Sequence, residues 1–370
     1  MKCISCGKDS NYKERRASSV YSKCPSCGKR FAFDPKDKDP VTDAAFKSAI
    51  DAVSANGQIR WGVEHLYYEL CRRLSKRTRP WAHFVFGAIV STVVFAALGM
   101  AALIPLVLVA WLVTGLLVRR YGRPVTVVLD QSDFNRLWSK WQAAHGSPDG
   151  LIVRKAQQSA RRAQEPDIGD YSFDRAVICD RARTVDLLLA NNFHFENNCA
   201  ILSIGGYPEG PFEVVRSMLK RNPKLQVFAL HDASLAGCQL AYQLTSDERW
   251  FKGLVPVTDV GLRPRHAGPF KGLWQNASGV LPVAAEGAID AEELRWLTSY
   301  VLELAAIRPE QVLKRLFRAI NRREESSSDS GSIGDSGGST SSNGDGSVHQ
   351  DRDSFSADAG DSDGGADSFG

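Results

Sequence analysis

The amino-acid sequence predicts an α/β protein whose central feature is a parallel β-sheet covered by helices. Apolar, strand-like runs alternate with helix-like segments between residues 171 and 322. Two Cys-x-x-Cys pairs lie within residues 1–33, and residues 81–118 contain no Asp, Glu, Lys or Arg. The full prediction is therefore an α/β domain preceded by a small zinc ribbon and a two-helix transmembrane hairpin. With 370 residues, the chain is long enough to bury a sizeable core.

The N-terminal segment, residues 1–33, is predicted to bind zinc. It contains the pairs CISC and CPSC, each followed by a glycine that permits the turn of a metal-binding knuckle. Four thiolates close a tetrahedral coordination sphere, so this zinc is expected to stabilise a segment too short to build its own core. The predicted ligands are Cys3, Cys6, Cys24 and Cys27.

Residues 81–118 are predicted to form a transmembrane hairpin that follows a helical segment at residues 41–78. One helix of this length would extend about 57 Å, nearly twice the roughly 30 Å of membrane hydrocarbon, whereas two spans of about 19 residues fit. Arg and Lys flank both ends of the run, which predicts cytoplasmic N- and C-terminal domains. We therefore expect an integral, multi-pass protein of the cell membrane. A re-entrant hairpin and a buried hairpin of a soluble domain are the alternatives.

Charge is divided unevenly along the chain. Residues 326–370 hold nine Asp and one Arg, a net charge of −8, and their Ser, Gly and Asp composition predicts a disordered acidic tail. The remaining residues carry 45 Lys and Arg against 33 Asp and Glu, a net charge of +12. This excess favours an anionic partner, either nucleic acid or anionic lipid, although surplus Lys and Arg more often simply keep a surface solvated. Residues 124–165 are predicted to be an amphipathic and basic connector.

The α/β domain is predicted at residues 171–322. Strands are predicted at 175–180, 199–206 and 225–232, and each is followed by a helix, at 184–193, 211–221 and 235–244. Continuous apolar strands of this kind are typical of a parallel sheet covered on both faces. Two more helices, near 290–306 and 309–322, complete the predicted domain.

Acidic side chains end two of the predicted strands. Asp180 follows the first strand and Asp232 the third, and parallel strands present such positions at the same edge of the sheet. Carboxylates that converge there can hold Mg²⁺, which then organises phosphate oxygens. Ser234, two residues beyond Asp232, is a further candidate ligand.

The order of three motifs resembles a Toprim domain, in the form found in the A subunit of topoisomerase VI and its meiotic relatives. The motifs are RAVICD, SIGGYPEG and LHDASLAG, and the resemblance covers residues 171–262. In that family a strand ends in Glu, a later one leads into a Gly-Tyr-Pro turn, and a third ends in Asp-x-Asp before a Gly. The resemblance implies a magnesium-dependent site that acts on DNA rather than RNA, with Asp180 and Asp232 as the catalytic candidates.

Two departures from the family pattern weaken the implied chemistry. Asp180 stands where the family has the Glu that assists proton transfer, and Ser234 stands where it has the second metal-binding Asp. A further candidate is Tyr68, because relatives of topoisomerase VI carry a nucleophilic tyrosine before the Toprim domain in an Arg-x-x-Tyr-Tyr context. Here Arg60 lies too far from the Tyr67-Tyr68 pair, and aromatic packing on a helix is the competing interpretation.

The sequence therefore leaves three functions open. The favoured one is a membrane-anchored protein that binds nucleic acid through a Toprim-like domain of reduced or lost activity. The second is a magnesium-dependent nuclease or strand-transfer enzyme. The third is a membrane scaffold that binds a protein partner or a nucleotide.

Overall fold

A four-stranded parallel sheet forms the centre of the computed structural model. Its strands are β1 (Arg175–Cys179), β2 (Cys199–Ser203), β3 (Gln226–Leu230) and β4 (Val257–Asp259), in the order β2-β1-β3-β4. A second, antiparallel pair joins β5 (Gln275–Asn276) to β6 (Tyr300–Val301). The structure describes residues 1–11, 23–33, 39–77, 81–97, 99, 104–121, 126–153, 173–210, 212–277 and 289–329.

Twelve α-helices lie within this described part of the chain. They are α1 (Asp43–Val53), α2 (Val63–Arg77), α3 (Trp81–Ala97), α4 (Ile104–Tyr121), α5 (Gln131–His145), α6 (Ala182–Ala190), α7 (Phe193–Glu196), α8 (Phe212–Arg221), α9 (Leu235–Cys238), α10 (Leu240–Ser246), α11 (Ala291–Leu297) and α12 (Pro309–Asp329). Of these, α6, α8 and α9 each follow a strand of the sheet, as expected for βαβ units.

Alternate residues of the strands pack into two hydrophobic clusters on opposite faces of the sheet. Val177 and Phe228 join the cluster that also contains residues of α1, α2, α5 and α12. Ala176 and Val227 join the cluster formed with α8 and α10. Because both faces are covered, the strands are apolar along almost their whole length.

The predicted α/β architecture with a parallel sheet covered by helices is confirmed. The three predicted strands correspond to β1, β2 and β3. Strand β4 was not predicted, because it has only three residues and all three are half-buried, which leaves little hydrophobic signal.

The segment after β6 lies against the carboxyl end of β3. The backbone N–H of Ala233 donates to the carbonyl of Leu302 at 2.9 Å, and the N–H of Leu302 donates back to Ala233 at 3.1 Å. This pairing places Glu303 and Leu304 beside the end of the sheet.

The prediction of a transmembrane hairpin is wrong for this structure. Its two helices are α3, with 17 residues, and α4, with 18. At about 1.5 Å per residue, α3 extends about 25 Å, less than the roughly 30 Å of membrane hydrocarbon, and α4 ends with Arg119, Arg120 and Tyr121. No helix in the described part of the chain is both long enough and apolar enough to cross a membrane. The predictions of integral membrane association and of a multi-pass cell-membrane location depended on this hairpin, and they are wrong for the same reason.

The two hairpin helices nevertheless pack against each other. The indole Nε1 of Trp111 on α4 donates to Ser91 Oγ on α3 at 2.9 Å, and Gly87 leaves room for the Trp111 ring. Large apolar side chains such as Phe86 and Leu106 are exposed on these helices, with 69% and 70% of their surface accessible.

Two predictions fall largely outside the described residues. They are the basic part of the connector, at 154–165, and the acidic tail, of which 330–370 are not described. Both stay predictions.

A glycine substitution tests how tightly the end of the sheet is packed. A Cβ added to Gly261 would lie 2.3 Å from Cδ2 of the fully buried His231 ring. We expect Gly261→Ala to lower the free energy of unfolding by about 1–3 kcal/mol, measured by urea denaturation. Gly268→Ala is the matched control, since a Cβ there meets no atom within 4 Å. Equal stabilities for the two variants would contradict this packing.

Candidate functional site

The four predicted zinc ligands come together. The Sγ atoms of Cys3 and Cys27 are 3.7 Å apart, as are those of Cys6 and Cys24, and all four lie within 4.8 Å of one another. Zn–S bonds of about 2.3 Å in a tetrahedron require sulfur–sulfur distances of about 3.8 Å. The cluster therefore has the size and donor set of a metal site such as a Cys₄ zinc site.

Local backbone geometry favours the thiolate form of Cys24. Desolvation opposes ionisation of Cys24, but backbone N–H groups of Cys27 and Ser26 outweigh it and lower the pKa of the Cys24 thiol to about 6. Thiolates are the form that binds metal. Gly7 and Gly28 have φ values of +73° and +69°, a backbone region that favours glycine, and they close the two knuckles.

The carboxyl end of the sheet brings Asp180 and Asp232 together. Strands β1 and β3 are neighbours with Cys179 opposite Leu230, so the residues that follow them meet at one edge. The backbone N–H of Asp232 donates to Asp180 Oδ2 at 2.9 Å. The residues that follow β1 and β3 therefore meet at this edge, through the Asp180 carboxylate and the Asp232 backbone.

Both carboxylate oxygens of Asp232 are engaged within the protein. Oδ2 accepts from Arg181 Nε at 3.0 Å and from Arg183 Nη2 at 3.4 Å, and Oδ1 accepts from the backbone N–H of Leu304 at 2.6 Å. The residue is only 1% exposed. Burial raises the pKa of Asp232, and the Arg183 guanidinium and the Leu304 N–H oppose that rise. Two guanidinium groups thus contact the carboxylate that was predicted to bind a metal.

Asp180 is less completely satisfied. Its Oδ1 atom is buried and has no hydrogen-bond partner among the described residues. Desolvation, followed by the nearby Asp232 carboxylate, raises the pKa of Asp180 to about 7. Near neutral pH, this carboxyl therefore exists as a mixture of protonated and ionised forms.

Ser234 caps a helix at this edge. Its Oγ accepts from the backbone N–H of Gly237 at 3.0 Å, which satisfies a free donor at the start of α9. A Cβ at Gly237 would lie 2.3 Å from the Asp232 carbonyl oxygen and 3.2 Å from Asp180 Oδ2. The glycine of the motif is therefore required by the close approach of the two acidic residues.

Tyr68 is connected to the same edge through two other side chains. Its hydroxyl donates to Glu303 Oε2 at 3.0 Å and accepts from Gln275 Nε2 at 2.7 Å. Glu303 Oε1 pairs with Arg183 Nη2 at 2.8 Å, and Arg183 contacts Asp232. Burial and then the Glu303 carboxylate raise the pKa of Tyr68 well above its usual value, so its hydroxyl stays protonated.

A second buried cluster surrounds His231. Its Nδ1 lies 2.8 Å from the Asp232 carbonyl and its Nε2 lies 2.9 Å from Asp259 Oδ1. Both partners are acceptors, so both ring nitrogens donate and the imidazole carries a positive charge. Desolvation opposes this charge, but the Asp259 carboxylate raises the pKa of His231. Arg263 bridges Asp259 and Glu293 and extends the cluster.

A cavity of about 720 Å³ opens beside Arg183. Carboxyl groups outnumber guanidinium groups in its lining, which contains three acidic residues and one arginine. The lining residues that carry charge are Glu64, Asp130, Arg183 and Glu303.

Arg181, Arg183 and Glu303 were not predicted from the sequence. The two arginines lie one and three residues after Asp180, so the sequence shows their proximity to that residue. It gives no sign that their side chains contact Asp232. Glu303 had no signal, since its location depends on the pairing of residues 233 and 302.

No protein-family model, curated protein or solved structure matches this chain. The Toprim resemblance stays a prediction.

The metal site makes a prediction about metal content. The purified full chain should contain one zinc ion per molecule. This zinc is measured after a mercurial reagent, which reacts with thiols, has released it. Cys6→Ser should lose most of this zinc because it removes one of four ligands. Cys71→Ser, which changes a buried thiol on α2, should keep it. Equal zinc contents in the two variants, or none in the wild type, would contradict the assignment.

The raised pKa of Asp180 makes a prediction about stability and pH. Between about pH 4 and pH 7, the Asp180 carboxyl is protonated in the folded state but ionised in the unfolded state, where its pKa is 3.8. The wild type therefore loses stability as the pH rises through this range. Asp180→Asn cannot ionise and keeps an oxygen for the Asp232 N–H. In magnesium-free urea denaturation, its free energy of unfolding should exceed that of wild type by roughly 1–3 kcal/mol at about pH 8 and equal it near pH 4.

Asp259→Asn is the control of opposite sign. In the wild type, desolvation opposes ionisation of the Asp259 carboxyl, but His231 and Arg263 hold its pKa below the usual value. Its carboxylate therefore stabilises the fold above about pH 4, and this contribution is lost as pH falls through the folded-state pKa. Asp259→Asn should be less stable than wild type at about pH 8. A gain in stability for Asp259→Asn, or a loss for Asp180→Asn, would show that the signs are misassigned.

Proposed function

We propose that this chain binds nucleic acid, DNA rather than RNA, and that its Toprim-like domain performs no phosphodiester chemistry. The order of the motifs RAVICD, SIGGYPEG and LHDASLAG supports the Toprim part of the proposal. The net charge of +12 on residues 1–325 supports an anionic partner.

The environment of Asp232 is the observation that carries the non-catalytic part. A metal-dependent phosphotransfer site needs carboxylate oxygens that are open to a cation. In Asp232, Oδ1 accepts a backbone N–H and Oδ2 accepts two arginine side chains, so the positive charge beside this carboxylate already comes from the protein. Ser234 occupies the position where the Toprim pattern has its second carboxylate. Its Oγ accepts the backbone N–H of Gly237 and so caps a helix.

Tyr68 supports the same conclusion. A tyrosine that attacks phosphorus needs a base or a metal to remove its proton and a path to the substrate. Tyr68 as a whole is only 1% exposed, and its hydroxyl donates a hydrogen bond to Glu303. Burial and the Glu303 carboxylate raise the pKa of this hydroxyl and keep it protonated. Its contacts are those of a residue that links α2 to β5 and to the segment after β6.

One observation favours a magnesium-dependent nuclease or strand-transfer enzyme as the second candidate. The buried Oδ1 of Asp180 has no partner among the described residues, and Ser234 lies in the same cluster around Gly237. A single cation held by Asp180 would satisfy that oxygen.

Cleavage and binding assays separate the two candidates. The full chain should be incubated with duplex DNA, single-stranded DNA and RNA in the presence of Mg²⁺ or Mn²⁺. We expect no metal-dependent cleavage, together with binding to DNA that weakens steeply as salt is added, because phosphate contacts release counterions. Asp232→Asn and Asp180→Asn are the matched variants. Cleavage by the wild type that either variant abolishes would establish the enzyme instead.

A further inference from the structure

The zinc-binding segment contains a short internal repeat. The sequences KCISCGK, at residues 2–8, and KCPSCGK, at residues 23–29, differ only at their third position. Their backbones repeat as well. The N–H of Gly7 donates to Cys3 and that of Gly28 donates to Cys24, both at 2.9 Å. Each repeat therefore builds the same knuckle with a lysine at either end.

The four lysines of the repeats lie at the surface. Lys2, Lys8 and Lys29 are exposed and Lys23 is half-exposed. The close sulfur pairs join one knuckle to the other, Cys3 to Cys27 and Cys6 to Cys24. The shared Cys₄ cluster consequently holds the lysines of both knuckles on one small body.

Positive charge is concentrated in this segment. Residues 1–33 contain eight Lys and Arg and two Asp and Glu, a net charge of +6, which is half of the +12 carried by residues 1–325. A Zn²⁺ ion bound by four thiolates has a net charge of −2 and leaves the segment at +4. A segment of this size with such an excess attracts polyanions.

The edge of the sheet has a different electrostatic character. Arg181 and Arg183 are paired with Asp232, and Arg183 is also paired with Glu303. The neighbouring cavity has more carboxyl than guanidinium groups. A phosphate group at this edge would therefore gain little favourable electrostatic energy.

We propose that the two knuckles together form the surface that contacts the phosphate backbone of nucleic acid, through Lys2, Lys8, Lys23 and Lys29. This inference rests on the proposed function and assigns its binding surface. Lysines act there as point charges on phosphates, so the contact reads no base sequence. The α/β domain then contributes little to the affinity.

The salt dependence of binding tests this assignment. The full, zinc-loaded chain is titrated into fluorescently labelled duplex DNA at several salt concentrations, with single-stranded DNA and RNA probes alongside. The variant K2Q/K8Q/K23Q/K29Q should bind duplex DNA roughly tenfold or more weakly. The slope of log affinity against log salt should fall by about 3–4, since each lost phosphate contact removes about 0.9.

The matched control changes four exposed lysines outside the knuckles, K224Q/K252Q/K271Q/K314Q, and alters the net charge by the same amount. It should keep nearly all of the affinity and the slope. Zinc content is measured for every variant. If the fourfold knuckle variant loses zinc, K8Q/K29Q replaces it, with about half the expected change in slope.

The outcomes distinguish this inference from the function on which it rests. Wild-type binding that a zinc-loaded knuckle variant retains in full would overturn the assignment to the knuckles and leave nucleic-acid binding intact. Equal weakening in the control would also overturn it, because general charge would then explain the loss. Absence of binding by the wild type to all three probes would overturn both proposals.

Discussion

The buried carboxylate of Asp232 is the centre on which the end of the sheet depends. Isolated charges are costly to bury, and this one is matched by the side chains of Arg181 and Arg183 and by a backbone N–H. Removing the carboxylate would leave the buried N–H of Leu304 without its acceptor. The arrangement therefore fixes how the strands, the first turn of α6 and the segment at residue 304 lie relative to one another.

Parts of the chain that are distant in sequence meet through this cluster. Tyr68, on α2, reaches it through Glu303, and both residues are far from β3 in sequence. Helices α1, α2, α5 and α12 also share one hydrophobic core with a face of the sheet. The helical segment before the hairpin therefore packs as part of the same body as the α/β region.

The sequence predicted those features that depend on short-range patterns. Three strands were visible as apolar runs, and the meeting of Asp180 with Asp232 followed from the parallel pairing of β1 and β3. The spacing of the cysteines predicted their cluster. Strand β4 was too short to give a signal, and the contact of Glu303 with Arg183 arises only from the pairing of distant segments. The hairpin prediction failed because an uncharged composition does not determine where each helix begins and ends.

Direct measurement of divalent-cation binding at Asp232 tests the central claim. The zinc-loaded full chain and Asp232→Asn are titrated with Mn²⁺, and the free ion is followed by electron paramagnetic resonance. If arginine side chains supply the positive charge at this carboxylate, the two proteins bind Mn²⁺ equally weakly. A saturable Mn²⁺ site in the wild type that Asp232→Asn lacks would contradict the account and identify the sheet edge as a metal centre.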